Sequence, residues 1–311
     1  MTPREIIARA WAITGHETSL RRWGFTSSFL ETLLNVKLVM YQTYFFYEYF
    51  MSGGTPGFFD VEVALYHVLP FWFFLTIVIT FLVMVVIEFF MPHLCLGAII
   101  GLAAKAYRGE EVKGGLVLGV YNFFPIFAVR EIFFLARTTT TITAISLILR
   151  YIDHPLKAPS VITLILLWAV SNILRFLTSF AEEAIVIRKS HIFSAMGRSF
   201  KLFLSHLGHL MFLVLLMLVI SIRVIINAII VLLIPALVLG LGLLLATFLS
   251  MTLSVVLATI TGFGLIVGAS YFFAYLHVFK QTVWTITYLE LSKHKDIDLI
   301  VADEGGGGGH H

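Results

Sequence analysis

The sequence predicts an all-α, polytopic membrane protein. Three observations carry that expectation: long apolar stretches, a scarcity of charge, and basic residues gathered in alternate loops. Of 311 residues, 59% are hydrophobic and 13% charged, whereas soluble domains carry about 25% charged residues. The mean hydropathy of +0.96 makes lipid the main solvent of such a chain. A net charge of +3, with no basic tract carrying interleaved aromatics, argues against nucleic acid as a partner. The single cysteine, Cys95, excludes an intrachain disulfide and leaves the redox compartment open.

A helix needs about 20 apolar residues to cross the hydrocarbon core. On that criterion six transmembrane helices are expected, near 25–50, 65–92, 115–149, 160–187, 207–234 and 248–291. The last two lie in one apolar run too long for a single crossing, and Pro235 with Gly240 and Gly242 supplies the turn. An extra re-entrant segment at 236–247 is the alternative. No cleavable signal is evident before the first span, so the N-terminus is expected to be retained. Residues 305–311, five glycines and two histidines, read as an appended linker with part of a histidine tag. The remaining 1–304 are expected to form a single transmembrane domain.

Charge orients these spans. Arg4, Arg9, Arg21, Arg22, then Lys105, Arg108, Lys113, then Arg188, Lys189, Arg198, Lys201, and finally Lys293 and Lys295 fall on one side, against Arg150 and Lys157 on the other. By the positive-inside rule both termini face the cytoplasm, and the expected location is the cytoplasmic (inner) membrane.

Amphipathic lead-ins precede two spans, over about 3–22 and 192–204. Ala8-Arg9-Ala10-Trp11-Ala12-Ile13 and Gly197-Arg198-Ser199-Phe200-Lys201-Leu202 share the pattern small, Arg, small, aromatic, any, aliphatic. Gly114-Gly115-Leu116-Val117 is a looser echo before the third span. The repeat suggests three hairpins, each with a cytoplasmic lead-in. Arg9, Trp11, Arg198, Phe200 and Lys201 are candidates for contact with the membrane surface; the plainer reading is that these helices cap the floor of the bundle.

Ala184-Ile185-Val186-Ile187, then Phe193-Ser194-Ala195-Met196-Gly197-Arg198-Ser199-Phe200-Lys201-Leu202 ahead of a long apolar span, and the ending Thr285-Ile286-Thr287-Tyr288-Leu289-Glu290-Leu291 resemble a signature. It is that of a loose group of uncharacterised bacterial and archaeal six-span membrane proteins, which includes the membrane domain joined to glycerophosphodiester phosphodiesterases. The resemblance is clearest over 184–292 and implies a fold; the group has no agreed activity to transfer. No soluble segment large enough for a phosphodiesterase domain is present.

Charges within spans are costly, about 2.5 to 3.5 kcal/mol at a helix centre, and so face protein or water. Helical phase groups Glu31, Asn35 and Gln42 on the first span, with Lys37, Tyr41, Tyr44 and Glu48 on a second stripe. It also groups Arg130, Arg137 and Thr141 on the third, Asn172, Arg175, Ser179 and Glu183 on the fourth, Arg223 and Asn227 on the fifth, and His277, Gln281, Trp284 and Tyr288 on the sixth. Counting about 1.5 Å per residue, Arg130, Arg175 and Arg223 come to a common depth near mid-membrane. Glu31, Glu88, Glu182 and Glu183 lie nearer the cytoplasmic side. The candidate solute or ion path is therefore Arg130, Arg137, Arg175, Arg223, Glu88 and Glu183, because a guanidinium stays charged when desolvated and offers a bidentate fork to an anion. The competing reading is internal pairing, for example Arg175 with Glu182 or Glu183, and Arg223 with Glu88.

Other signals carry less. The cluster Thr138 to Thr141 with Thr143 reads as hydroxyls back-bonding to helix carbonyls and bending a span. Pro92 and Pro125 are expected to kink theirs. His206 and His209, with His191 nearby, lack a carboxylate or cysteine at ligand spacing, so no metal and no other cofactor is expected. No nucleophile elbow or phosphate-cradling glycine loop suggests catalysis. The expectation is a non-enzymatic channel or transporter-like protein for a small anionic solute or lipid headgroup, as a homo-oligomer or a subunit of a membrane complex. The rival is a scaffold that holds a protein partner or anionic lipid at the cytoplasmic face.

Overall fold

The computed structural model describes residues 1–68, 70–208, 210–215 and 250–294, with a few positions between 218 and 248. Within those residues the chain is all-helical, without a strand.

Helix α1 (Pro3–His16) starts at a capping box, in which the Glu5 amide donates to Thr2 Oγ1 and the Thr2 amide donates to Glu5 Oε2. Two of the orphan amides at the helix start are thereby satisfied. Extended backbone at Glu17 ends it, and α2 (Thr18–Tyr47) begins at once. The lead-in is thus shorter than the 3–22 expected, and the first long helix already contains Arg21 and Arg22. A π turn, Glu48–Ser52, closes α2 at Gly53, whose φ of +65° suits a residue without Cβ. A short helix α3 (Asp60–Val68) precedes α4 (Phe71–Arg108), 38 residues long. Pro92 lies inside α4 without ending it, so this helix runs well past the expected boundary at 92 and stops at Gly109, with φ +73°.

Two expected spans are interrupted. The stretch 115–149 forms α5 (Gly115–Ile132), a 3-10 turn (Phe134–Ala136) and α6 (Thr138–Tyr151). The stretch 160–187 starts earlier, at α7 (His154–Leu177), and breaks before α8 (Ala181–Arg188). The second amphipathic segment is α9 (Ile192–Ser205), and the chain's last described helix is α10 (Met251–His294), 44 residues long. The expected span 207–234 and the turn or re-entrant segment at 236–247 lie almost wholly outside the described residues.

Among the described residues, four helical stretches are long and apolar enough to cross a membrane: Phe71–Arg108, Gly115–Ile132, His154–Arg188 and Val256–Ser292. The most apolar window of the first is only 6% buried within the protein, and that of the third likewise 6%. A continuous outward-facing belt such as Phe71, Trp72, Leu75, Ile79, Leu82, Val83 and Val86 far exceeds what a soluble surface tolerates. The protein is embedded in a membrane. Helix α2 has the length to span, but its composition does not place it among the four.

Helix α4 is the spine, packed by α2, α5, α8 and α10. Its first half is largely exposed, whereas every residue from Cys95 to Ala104 is buried. Small residues permit the close approach there. Gly97 and Gly101 of α4 face Gly119 and Leu118 of α5, and a Cβ on Gly119 would stand 2.6 Å from the Leu94 carbonyl oxygen; this is the small-xxx-small device of membrane helix pairs. One core cluster joins Leu96, Ile126, Phe180, Ile185, Phe203 and Tyr288. Another seats Ile6 and Ala10 of α1 against Phe279, Val283 and Ile286 of α10. Trp11 packs edge-on against Tyr275 and Phe279, with ring centroids 5.1 and 5.4 Å away.

Candidate functional site

Both interruptions fall where the sequence concentrates charge, and local chemistry explains why they are tolerated. At the first, Phe133 leaves helical geometry and Arg137 is extended. The Thr141 hydroxyl donates to the Leu135 carbonyl at 3.0 Å, so the threonine cluster satisfies a carbonyl that the break releases. At the second, Ser199 of α9 accepts from the Phe180 amide at 2.9 Å and donates to the Leu177 carbonyl at 3.4 Å. Irregular backbone survives at membrane depth when protein groups or a cavity take up its freed valences.

The breaks also place charges favourably along the helix dipoles. Arg130 lies in the last turn of α5 and Arg175 in the last turn of α7, at the negative helix ends. Glu182 and Glu183 lie in the first turn of α8, at a positive end. Each such placement is worth about 0.3–1 kcal/mol, more when partly buried.

Around these ends opens a cavity of about 780 Å³. Its polar lining includes Glu31 from α2, Arg130 from α5, Asn172 and Arg175 from α7, Thr178, Ser179, Glu182 and Glu183 at the second break, and His277, Lys280 and Gln281 from α10. These α10 residues lie about two to four turns along that helix from the core residues Tyr288 and Leu291. Arg130 Nε is 3.1 Å from Glu182 Oε1. Gln281 Nε2 donates to Glu183 Oε1 at 2.7 Å. Arg175 and Lys280 are exposed and line the cavity, and their side chains form no hydrogen bond or ion pair with any described residue.

Of the six residues read from the sequence as a path, the cavity brings together Arg130, Arg175 and Glu183. Arg137 stands beside it, paired with Glu131, whose Oε1 also lies 3.4 Å from His93 Nε2. Glu88 belongs elsewhere, held by Lys37 Nζ at 2.7 and 2.9 Å. Arg223 lies outside the described residues. Among the described residues Arg130 pairs with Glu182, in place of Arg175 with Glu182 or Glu183, and Glu88 pairs with Lys37; the expected pairing of Arg223 with Glu88 lies outside the described residues. Partner choice follows which helices are neighbours: α2 packs along α4, which carries Lys37 to Glu88.

Lys280 is the cavity residue that the sequence reading passed over. Its signal was available, since it lies within about 60° of His277 on the helical wheel at 100° per residue. Among the surface candidates, the Arg9 guanidinium stacks over the Tyr107 ring at 5.1 Å, and Arg198 Nη1 donates to Ser190 Oγ at 3.0 Å. Phe200 and Lys201 are exposed. His206 Nδ1 lies 2.7 Å from Ser205 Oγ, and His209 lies outside the described residues. No protein-family model, curated protein or solved structure matches this chain.

Proposed function

We propose that this cavity recognises a small oxyanion, free in solution or carried on a lipid headgroup, and that the protein gives it passage or a binding place within the membrane. The observation that carries the reading is the pair of uncommitted cations, Arg175 and Lys280, in a cavity whose third cation, Arg130, is already engaged by Glu182. A cation held away from bulk water without a counterion is costly, and a phosphate-like group meets that need with two or more acceptor oxygens for the guanidinium fork. Asn172, Ser179 and Gln281 add neutral groups able to orient such a ligand. Discontinuous helices that meet charge in mid-membrane are the arrangement by which transporter folds bind ions.

The accompanying topology is six spans paired as three hairpins, both termini in the cytoplasm, in the cytoplasmic membrane, as a homo-oligomer or a subunit of a larger complex. The basic loops support this orientation, and the resemblance of 184–292 to six-span proteins supports the number of spans. The role is recognition and passage, without bond-making chemistry. A second reading, a scaffold for a protein partner or anionic lipid, draws on the fully engaged pairs Lys37–Glu88 and Arg137–Glu131, which act as packing elements.

The test is efflux of labelled phosphate and sulfate from proteoliposomes, with scrambling of a fluorescent anionic lipid measured in parallel. Wild-type passage of either class that falls at least tenfold in R175Q and K280M, with folding and oligomeric mass unchanged, supports the reading. Well-folded protein that passes neither favours the scaffold.

A further inference from the structure

Glu183 stands apart from the other carboxylates of the cavity. The residue is 1% exposed, one oxygen accepts from Gln281, and the other, Oε2, is buried with no hydrogen-bond partner among the described residues. A buried carboxylate oxygen without a donor is strongly disfavoured as an anion, whereas a carboxyl that carries a proton there is itself a donor. Glu182, one residue away, has Arg130.

The titratable and charged groups that share this cavity with Glu183 are Glu31 from α2, Arg130 from α5, Arg175 from α7, Glu182 of its own helix, and His277 and Lys280 from α10. Helices α4 and α9 also pack on α8 and add no titratable side chain to the described cavity wall. With all carboxylates ionised and His277 neutral, three cations balance three anions. An arriving oxyanion adds negative charge, and neutralising Glu183 offsets one unit of it.

We infer that Glu183 is a proton-binding site linked to the anion site, so that the cavity takes up one proton with each anion; this rests on the anion-binding reading above. Arg175 and Lys280 serve either the bound anion or the ionised Glu183 carboxylate. When the anion occupies them, Oε2 takes a proton from water that reaches the cavity. When the anion leaves, a cation turns to the carboxylate and the proton departs. Linkage then requires that anion affinity be greatest at low pH and fall as pH rises through the titration of Glu183.

The experiment is calorimetric titration of the full-length protein in detergent, in two buffers of different ionisation enthalpy, which counts protons per ligand. Sulfate, which does not titrate near neutrality, is the free oxyanion probe, and a short-chain phosphatidylglycerol is the headgroup probe; the arm that binds identifies the source. The expected result is about one proton taken up per anion by wild type, with affinity falling about tenfold per pH unit over the range of uptake. E183Q is expected to bind with no proton uptake and a pH-independent affinity. Binding by wild type without proton uptake, or uptake that persists in E183Q, overturns the coupling and leaves the anion site standing. Failure of wild type to bind either probe overturns the anion reading and the coupling with it. Should E183Q fail to fold, the wild-type proton count decides alone.

Discussion

Ser199 Oγ lies 2.9 Å from the amide nitrogen of Phe180, and that contact bridges α9 to the break between α7 and α8. The same hydroxyl donates to Leu177, so one side chain, wholly buried, satisfies a backbone donor and a backbone acceptor freed by the interruption. S199A strands both groups and is expected to cost about 1–3 kcal/mol. It should lower the thermal midpoint of the purified protein and expose the 178–180 amides to hydrogen exchange. A midpoint equal to wild type would show that the break holds without its bridge.

Lys37 and Glu88 offer a cleaner separation of charge from packing. Glu88 has no exposed side-chain surface in this pair, so K37M leaves a buried carboxylate uncompensated, at a cost of about 3–5 kcal/mol. The double variant K37M/E88M removes both charges and should recover most of the loss. Unfolding free energies for the two singles and the double give the coupling, and a double variant no better than K37M would contradict it.

Arg130 and Arg175 line one cavity and are expected to respond differently. R130Q removes the partner of Glu182 and should destabilise by about 1.5–3 kcal/mol, since the pair is only partly exposed. R175Q breaks no side-chain hydrogen bond or ion pair with a described residue, and its effect on stability should stay within about 1 kcal/mol. Thermal midpoints measured side by side test this. Equal losses would mean that Arg175 is structural after all.

Gly119 tests the spine. A Cβ there meets the Leu94 backbone at 2.6 Å, which no rotamer change relieves, so G119V must part α4 from α5. The expected cost is about 1–3 kcal/mol or more. G109A, at the positive-φ cap of α4, is a control for backbone strain without crowding. Stability of G119V equal to wild type would mean that the two helices pack less closely than this contact requires.

Helical phase alone was enough to place Arg130, Asn172, Arg175, Glu183, His277 and Gln281 on inward stripes, because lipid leaves a charged residue few other directions to face. The breaks at 133–137 and 178–180 were not legible. Neither contains Gly or Pro, and each depends on a side chain that takes up a freed backbone group, Thr141 locally and Ser199 from a different helix. The span expected to end at 92 instead runs on through Pro92, which is buried within α4, where packing offsets one lost hydrogen bond. Ion-pair partners were illegible for a related reason: phase gives each helix a polar face, but which faces meet is set by helix order, as Lys37 and Glu88 illustrate.

At about 1.5 Å per residue, the 38 residues of α4 extend about 57 Å, nearly twice the roughly 30 Å of a hydrocarbon core. Its first half is long enough for one crossing by itself, whereas residues 95–104 are wholly enclosed by neighbouring helices. Hydrophobic mismatch therefore acts unevenly along one rod: the outward-facing half meets a thinner or thicker bilayer directly, and the enclosed half meets it only through the helices that surround it.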